Sequence, residues 1–260
     1  MLRCFWGHKR KVNKKYMTTT SESVSKFDNT RAGEYEQQSR IALAGYDACH
    51  ELAACLLAAS IGSGKQAEIL VGGAGGTAKE IITTGALELN WRFTAVDPSQ
   101  SMMDIAVEKI KLAGLTQRVE IVLGVIEDLP KDKRYDAATL IGVIHHLSGD
   151  EAKIKILSAI AQRLNPNAPL ILAGNRYAYK SQPLFLSAWG ERWRMTGSTP
   201  DEIKIKLGKI LLGADPPHSE QEVFNLLDKA GFEKPLCFFS SFPAYQGCYA
   251  VVQLLDGLTL

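Results

Sequence analysis

The chain has 260 residues, enough for one α/β domain with additions and too few for two full-sized domains to be the default. Its 46% hydrophobic and 22% charged residues are those of an ordinary globular protein, and a net charge of +2 selects no polyanionic partner. The positive excess sits in Arg3, Lys9, Arg10, Lys11, Lys14 and Lys15, ahead of the first acid, Glu22, so the body carries no nucleic-acid charge footprint. The five cysteines are widely spaced with no C-x-x-C pair, which argues against a disulfide framework or a zinc site and for a reducing, cytoplasmic setting. No apolar run approaches a membrane span, and no apolar segment of signal-peptide type follows the basic residues.

Residues 1–25 read as a disordered basic leader, with Met17 a second possible start. Residues 26–260 read as one domain. A helical cap spans 26–62, where Tyr46, Cys49, Leu52, Ala53, Leu56 and Leu57 recur at helical spacing. Alternation then begins. Strand Ala67–Val71 precedes helix Thr77–Glu88, and strand Arg92–Val96 precedes helix Ser99–Ala113. Strand Val119–Leu123 is followed by a loop, strand Tyr135–Ile141 by helix Asp150–Leu164, and Leu170–Ala173 is a fifth strand. Strands separated by helices imply parallel pairing with right-handed crossovers. The segment 176–217 reads as a helical lid insertion, with helices Pro183–Met195 and Pro200–Leu212. Ser219-Glu-Gln-Glu222 resembles a capping box. Leu236–Ser241 and Tyr249–Leu255 close the chain as an antiparallel hairpin. The fold class is therefore α/β, Rossmann-like and doubly wound, with a mostly parallel seven-stranded sheet.

The chemistry concentrates at Glu68-Ile-Leu-Val-Gly-Gly-Ala-Gly-Gly-Thr-Ala-Lys79. An apolar strand stops at Gly72, Gly73, Gly75 and Gly76 and passes into a helix, a pattern that gathers free backbone N–H groups around one point. The next strand ends in Asp97, whose carboxylate can accept from two ribose hydroxyls. The pattern fits an adenosine-type nucleotide and is shared by NAD and S-adenosylmethionine enzymes.

The surroundings separate these. Asp97-Pro-Ser-Gln-Ser-Met-Met103, the acidic turn at Glu127-Asp128 and the strand ending in His145-His146 follow in order. This series resembles class I S-adenosylmethionine-dependent methyltransferases over about Phe27 to Leu255. The cap and the segment Trp193–Ile203 resemble a subgroup that includes carboxy-S-adenosylmethionine synthase and small-molecule methyltransferases. The resemblance implies S-adenosylmethionine as cofactor. It places Gly72, Gly73 and Gly75 under the methionine part and Asp97, with Pro98 and Ser99, at the ribose. Met102, Val125 and Ile126 would lie at the adenine, Ile141 near the sulfonium, and Tyr35 and Arg40 at the methionine carboxylate. Two positions depart from the family: Val71 stands where an acid usually helps hold the ammonium, and Val125 where an acid often meets the adenine amine. Glu127 or Asp128 is available to compensate.

Methyl transfer from a sulfonium needs alignment and water exclusion, and a base only where the acceptor must lose a proton. His145, Asn175 and Tyr177 are the catalytic candidates, with His146 beside them shaping the loop. Adjacent histidines do not make a metal site by spacing, and no metal is expected. Arg176, Tyr179, Trp189, Trp193 and Arg194 are candidates for a small-molecule acceptor pocket, although aromatics at helical spacing also pack lid cores. Nucleic acid and membrane are not expected partners, and the chain is expected as a monomer or homodimer. Three rivals remain: cyclisation of the cofactor's aminocarboxypropyl arm or carboxy-S-adenosylmethionine-type chemistry, an NAD-dependent oxidoreductase, and a silent binding subunit.

Overall fold

The structure is a computed structural model and describes residues 35–233, 235–241 and 246–251. The leader, most of the expected first cap segment and residues 252–255 of the expected last strand lie outside the described residues, as does the side chain of Tyr35.

Two cap helices, α1 (Tyr35–Ala42) and α2 (Tyr46–Ile61), come first. Then follow β1 (Ala67–Gly72), α3 (Lys79–Leu87), β2 (Trp91–Asp97), α4 (Gln100–Leu112), β3 (Val119–Leu123), β4 (Ala137–Ile141), α5 (Gly149–Ala161) and β5 (Leu170–Asn175). The lid helices α6 (Pro183–Met195) and α7 (Pro200–Gly213) precede α8 (Glu220–Lys229), β6 (Leu236–Ser241) and β7 (Gln246–Val251). The sheet runs β3-β2-β1-β4-β5-β7-β6. Its first five strands are parallel, and β7 lies antiparallel between β5 and β6. Strand order reverses between β1 and β4, so the crevice at their C-terminal ends is where such a sheet receives a ligand.

Alternation along the strands builds two cores. Leu70, Leu140, Leu170 and Leu172 face α5 and α8 through Leu157, Ile160, Leu226 and Leu227. Ile69, Val71, Phe93 and Ala95 face α2, α3 and α4 through Leu57, Ile81, Met103 and Ile110. A third cluster, Ile41, Tyr179, Trp189 and Trp193, joins the cap to the lid.

Several boundaries move for local reasons. β4 starts at Ala137 rather than Tyr135, because Tyr135 pairs with Leu164 in an isolated bridge. α5 ends at Ala161, three residues early. β5 runs on to Asn175, where its register against β7 pairs Asn175 with Gln246. Ser219 caps α8 by accepting from Glu222 N–H at 3.1 Å, but the Glu222 carboxylate takes the N–H of His218, so the reciprocal half of the expected capping box is absent. The reciprocal box occurs instead at Thr199 and Glu202, opening α7. Among the described residues no single helix is long and apolar enough to cross a membrane.

Thr139, in the middle of the sheet, is 2% exposed, and its hydroxyl has no hydrogen-bond partner among the described residues. An unsatisfied buried hydroxyl weakens a fold more than an apolar group of the same shape. Thr139→Val is expected to raise stability by about 1 kcal/mol, or the unfolding midpoint by roughly 3 °C. Thermal denaturation followed by circular dichroism checks this, and a lowered midpoint would contradict it.

Candidate functional site

The glycine loop closes differently from the expectation of free donors. Gly73 and Ala74 donate their N–H groups to the Val96 carbonyl at 2.9 and 3.1 Å, and Gly76 donates to the Met102 carbonyl at 2.8 Å. Gly75 donates to Asp97 Oδ2 at 3.0 Å. The helix opens at Lys79, not Thr77, because Ala78 adopts a left-handed conformation at φ 46°. The donors of the loop thus hold it against the β2–α4 turn instead of pointing at a ligand, and that expectation is corrected.

What the glycines supply is closeness. Gly73 sits at φ 69°, and a Cβ there would run into Val143 Cγ2. A Cβ on Gly75 would lie 2.7 Å from Asp97 Oδ2 and 2.6 Å from Met102 Cβ. Gly72 is bounded by Ile126 and Leu140 side chains. The loop is a bare backbone ridge between Asp97, Met102 and the β4 exit.

Asp97 is held from both sides. Its Oδ2 accepts from Gly75 and its Oδ1 from Ser99 N–H at 2.8 Å, and Ser99 caps α4 by accepting from Met102 N–H. Each carboxylate oxygen keeps a further lone pair for a ribose hydroxyl. Burial raises the Asp97 pKa above the usual carboxylate value, against the opposing pull of the two N–H donors. Met102 and Ile126 are buried, whereas Pro98 is exposed. These features fit an adenosine group: a ribose acceptor, an apolar floor and a ridge without Cβ atoms. The adenine-side acids are committed elsewhere: Asp128 accepts from Val125 N–H at 3.1 Å, and Glu127 pairs with Lys155 at 3.2 Å.

Behind the loop lies a buried polar chain that the sequence did not announce. Tyr46 Oη meets Thr77 Oγ1 at 2.6 Å, tying α2 to the loop. His50 Nδ1 lies 2.8 Å from the Tyr46 carbonyl, and His50 Nε2 lies 3.7 Å from Glu80 Oε2. Burial raises the Glu80 pKa, His50 opposes the rise, and the nearby Asp97 charge adds to it. Arg40, expected at a methionine carboxylate, is bidentate to Asp47 at 3.1 Å and bonded to Glu36 at 2.6 Å. Hydrogen bonds from Arg40 and then Lys79 hold the half-exposed Asp47 carboxyl down to about 2.

At the ends of β4 and β5, Ile141 is partly buried and leads into Gly142, whose N–H donates to the Ala173 carbonyl. His145 Nδ1 accepts from Asn175 N–H at 3.4 Å. With Nδ1 accepting, a neutral His145 carries its proton on Nε2. The His146 ring lies tilted 4.2 Å from it. Asn175 is buried, and its amide donates to Tyr179 Oη at 2.5 Å. Tyr177 sits at φ 71°, a left-handed conformation that only surrounding structure sustains, and its N–H donates to the Pro217 carbonyl at 2.6 Å.

The expected acceptor residues divide. Trp189 and Trp193 stack at 5.5 Å, are 2% and 3% exposed, and pack with Tyr179 and Ile41, so they build the lid core instead of lining open space. Arg176 pairs with Glu220 at 3.2 Å and with Ser240, and Arg194 pairs with Glu191 on the outside. The base of the lid is fixed by Asp215. Its N–H donates to the His145 carbonyl, and its carboxylate accepts from Gly149 N–H at 2.7 Å and from the buried Lys153 at 3.0 Å. No spacing in the sequence links Lys153 to Asp215. A hollow of about 560 Å³ lies between α1 and α6 beside Glu36, Arg40, Ile41 and Arg192. It is away from the glycine loop, and its charged side chains already pair with one another or with backbone, so it does not define the site.

Residues 71–170 match the family model described as a methyltransferase domain. Among solved structures, the chain is similar to a candidate O-methyltransferase from Nostoc punctiforme PCC 73102, with 17% identity, TM-score 0.57, and 78% of this chain and 55% of that one covered. It is similar to the mitomycin 7-O-methyltransferase MmcR, at 20% identity, TM-score 0.54, and 78% and 54% coverage. It is also similar to the [4+2]-cyclase SpnF, at 19% identity, TM-score 0.50, and 72% and 58% coverage. The chain therefore spans little more than half the length of these proteins. A comparison with curated proteins gives no match.

The buried Glu80 gives a pH test. A raised pKa in the folded state means that the folded chain binds this proton more tightly than the unfolded chain. Ionised Glu80 then opposes folding at neutral pH, and the opposition fades as pH falls toward the ordinary carboxylate range. Glu80→Gln is expected to raise the unfolding midpoint at pH 8 by roughly 3 °C, with the gain shrinking toward pH 4.5. Thermal melts at the two pH values decide; a gain larger at pH 4.5 would reverse the sign and reject the account.

Proposed function

We propose that this chain, which carries a methyltransferase domain at residues 71–170, binds S-adenosylmethionine and transfers its methyl group to a small molecule. The observation that carries the reading is the Asp97 carboxylate at the C-terminal end of β2, clasped by the N–H groups of Gly75 and Ser99 beside the loop that leaves β1. In this reading Asp97 accepts from the ribose hydroxyls. Gly72, Gly73 and Gly75 form the ridge under the methionine arm, Met102 and Ile126 form the adenine floor, and Ile141 lies near the sulfonium. The bound cofactor supplies the electrophilic methyl group. The protein's own contribution is alignment and exclusion of water by the lid.

The domain division follows the same reading: a cap over 26–62, a lid over 176–217, and a seven-stranded sheet ending in the β6–β7 hairpin. We assign a cytoplasmic enzyme acting on a small molecule without a nucleic-acid partner, as monomer or homodimer. With its Nδ1 engaged by the Asn175 N–H, His145 holds its loop against β5 in this reading, and acceptor deprotonation falls to solvent or to the acceptor's own acidity.

A second reading keeps the cofactor and changes the bond broken. Val71 supplies no carboxylate for the cofactor ammonium. Attack on the aminocarboxypropyl arm would release methylthioadenosine, whereas methyl transfer releases S-adenosylhomocysteine.

Calorimetry with S-adenosylmethionine, S-adenosylhomocysteine and NAD is the direct test, followed by chromatography of the nucleoside product. Binding of the first two without NAD is expected. Asp97→Ala is expected to lower S-adenosylmethionine affinity at least about tenfold, the scale of one lost charge-assisted hydrogen bond. NAD binding alone, or unchanged affinity in Asp97→Ala with its circular dichroism retained, would reject the assignment.

A further inference from the structure

We propose that Asn175 reads the methyl acceptor, and that the acceptor presents a hydroxyl or amine N–H, not a carboxylate, to its side-chain oxygen. The inference rests on the methyltransferase reading and names the chemistry of the molecule that would share the crevice.

Asn175 is the last residue of β5, at the C-terminal edge of the sheet beside the switch point. Along β5 it alternates with Ile171 and Ala173, so it faces the cap side under the lid. The residue is 7% exposed. Its amide nitrogen donates to Tyr179 Oη, and its backbone N–H donates to His145 Nδ1. Among the described residues its Oδ1 has no hydrogen-bond partner.

A folded protein seldom leaves a buried amide oxygen unpaired, and such an atom asks for an explanation. Packing alone does not require it, because an apolar side chain of this size would fill the same volume. The amide is also held in orientation. Tyr179 grips its nitrogen, and the Tyr179 ring is wedged against Trp189 at 5.6 Å. An oriented acceptor with no donor among the described residues, next to His145 at the C-terminal end of β5, fits a ligand that brings the donor. The sign of the group decides the class. An amide oxygen welcomes O–H or N–H, and it repels a carboxylate, which has no proton to give. A site of this kind discriminates strongly against analogues that lack the donor, because its buried oxygen is then left unpaired.

The test uses the full chain and three probes on one carbon frame: 1-naphthol, 1-methoxynaphthalene and 1-naphthoate. Calorimetry is expected to give naphthol at least about tenfold tighter than either of the others on the unmodified protein. In Asn175→Leu the three affinities are expected to fall within about threefold of one another, with the unfolding midpoint little changed. Tyr179→Phe frees the amide to turn and is expected to weaken the preference for naphthol without abolishing it. It also serves as the deciding variant if Asn175→Leu does not fold. Equal affinities on the unmodified protein, no measurable binding of naphthol, tightest binding of naphthoate, a preference that persists in Asn175→Leu, or, where that variant does not fold, a preference undiminished in Tyr179→Phe would overturn the assignment. S-Adenosylmethionine titrated into the unmodified protein is read separately. Its failure to bind counts against the methyltransferase reading, whereas the naphthol pattern alone decides the role of Asn175.

Discussion

The site depends on one carboxylate receiving two backbone donors. Asp97 stops β2, turns the chain into α4 through Ser99, and pins the glycine loop through Gly75. Without an acceptor at that point the Gly75 N–H would be left unpaired, and the loop would lose its contact with β2. Burial works against the charge, since it raises the pKa, and the two N–H donors work for it. Ribose hydroxyls would add donors on the same oxygens and favour the ionised form further. In the proposed reading a structural clasp and a ligand acceptor are the same group, and any change at Asp97 acts on both.

The cap and the lid are fixed by different physics. α2 reaches the loop through Tyr46 and Thr77, while Ser241 Oγ donates to the Ala44 carbonyl at the turn before α2. The lid meets the cap through apolar packing around Trp189 and Trp193, by Trp193 Nε1 donating to Gln38 at 3.0 Å, and by Arg192 donating to the carbonyls of Arg40 and Ile41. At its far end the lid is held by charge: Lys153, 2% exposed, is tolerated because Asp215 lies 3.0 Å away. Burial raises the Asp215 pKa, but Gly149 and Lys153 together bring it below the ordinary value. The Asp215 N–H on the His145 carbonyl makes that ion pair part of the histidine loop.

The sequence carried what depends on local pattern. Apolar runs located β1, β2 and β5, and Pro183 and Pro200 opened the two lid helices where expected. The acid at the end of β2 was legible because strand, glycine loop and acid are spaced by the geometry of one βαβ unit. What was not legible depends on distance in the chain. Lys153 and Asp215 are 62 residues apart, and His50 and Glu80 are 30 apart; a buried partner has no signature beside it. The direction of the loop N–H groups also escaped, because glycine spacing locates a turn but does not say which carbonyl will receive its donors. Trp189 and Trp193 had two readings at helical spacing, and only their contacts with Ile41 and Tyr179 separate a lid core from a pocket wall.

The charge around the cap bears on Val71. A methionine arm brings an ammonium and a carboxylate, and the position next to the loop that could hold the ammonium is apolar. The cap offers Glu36 and Asp47, yet both are already paired. Lys109 and Arg40 hold Glu36, and Arg40 and Lys79 hold Asp47. Three cations, Arg40, Lys79 and Lys109, face these two carboxylates, so neither carboxylate is uncommitted and the group keeps excess positive charge. If a methionine arm binds beside it, as proposed, such a balance favours its carboxylate end over its ammonium. The groups are half-exposed, so solvent screening limits the effect, but its direction is set by the pairing. In that reading Glu36 and Asp47 do not replace the acid missing at Val71, and the bond broken depends on where the acceptor sits relative to the sulfonium.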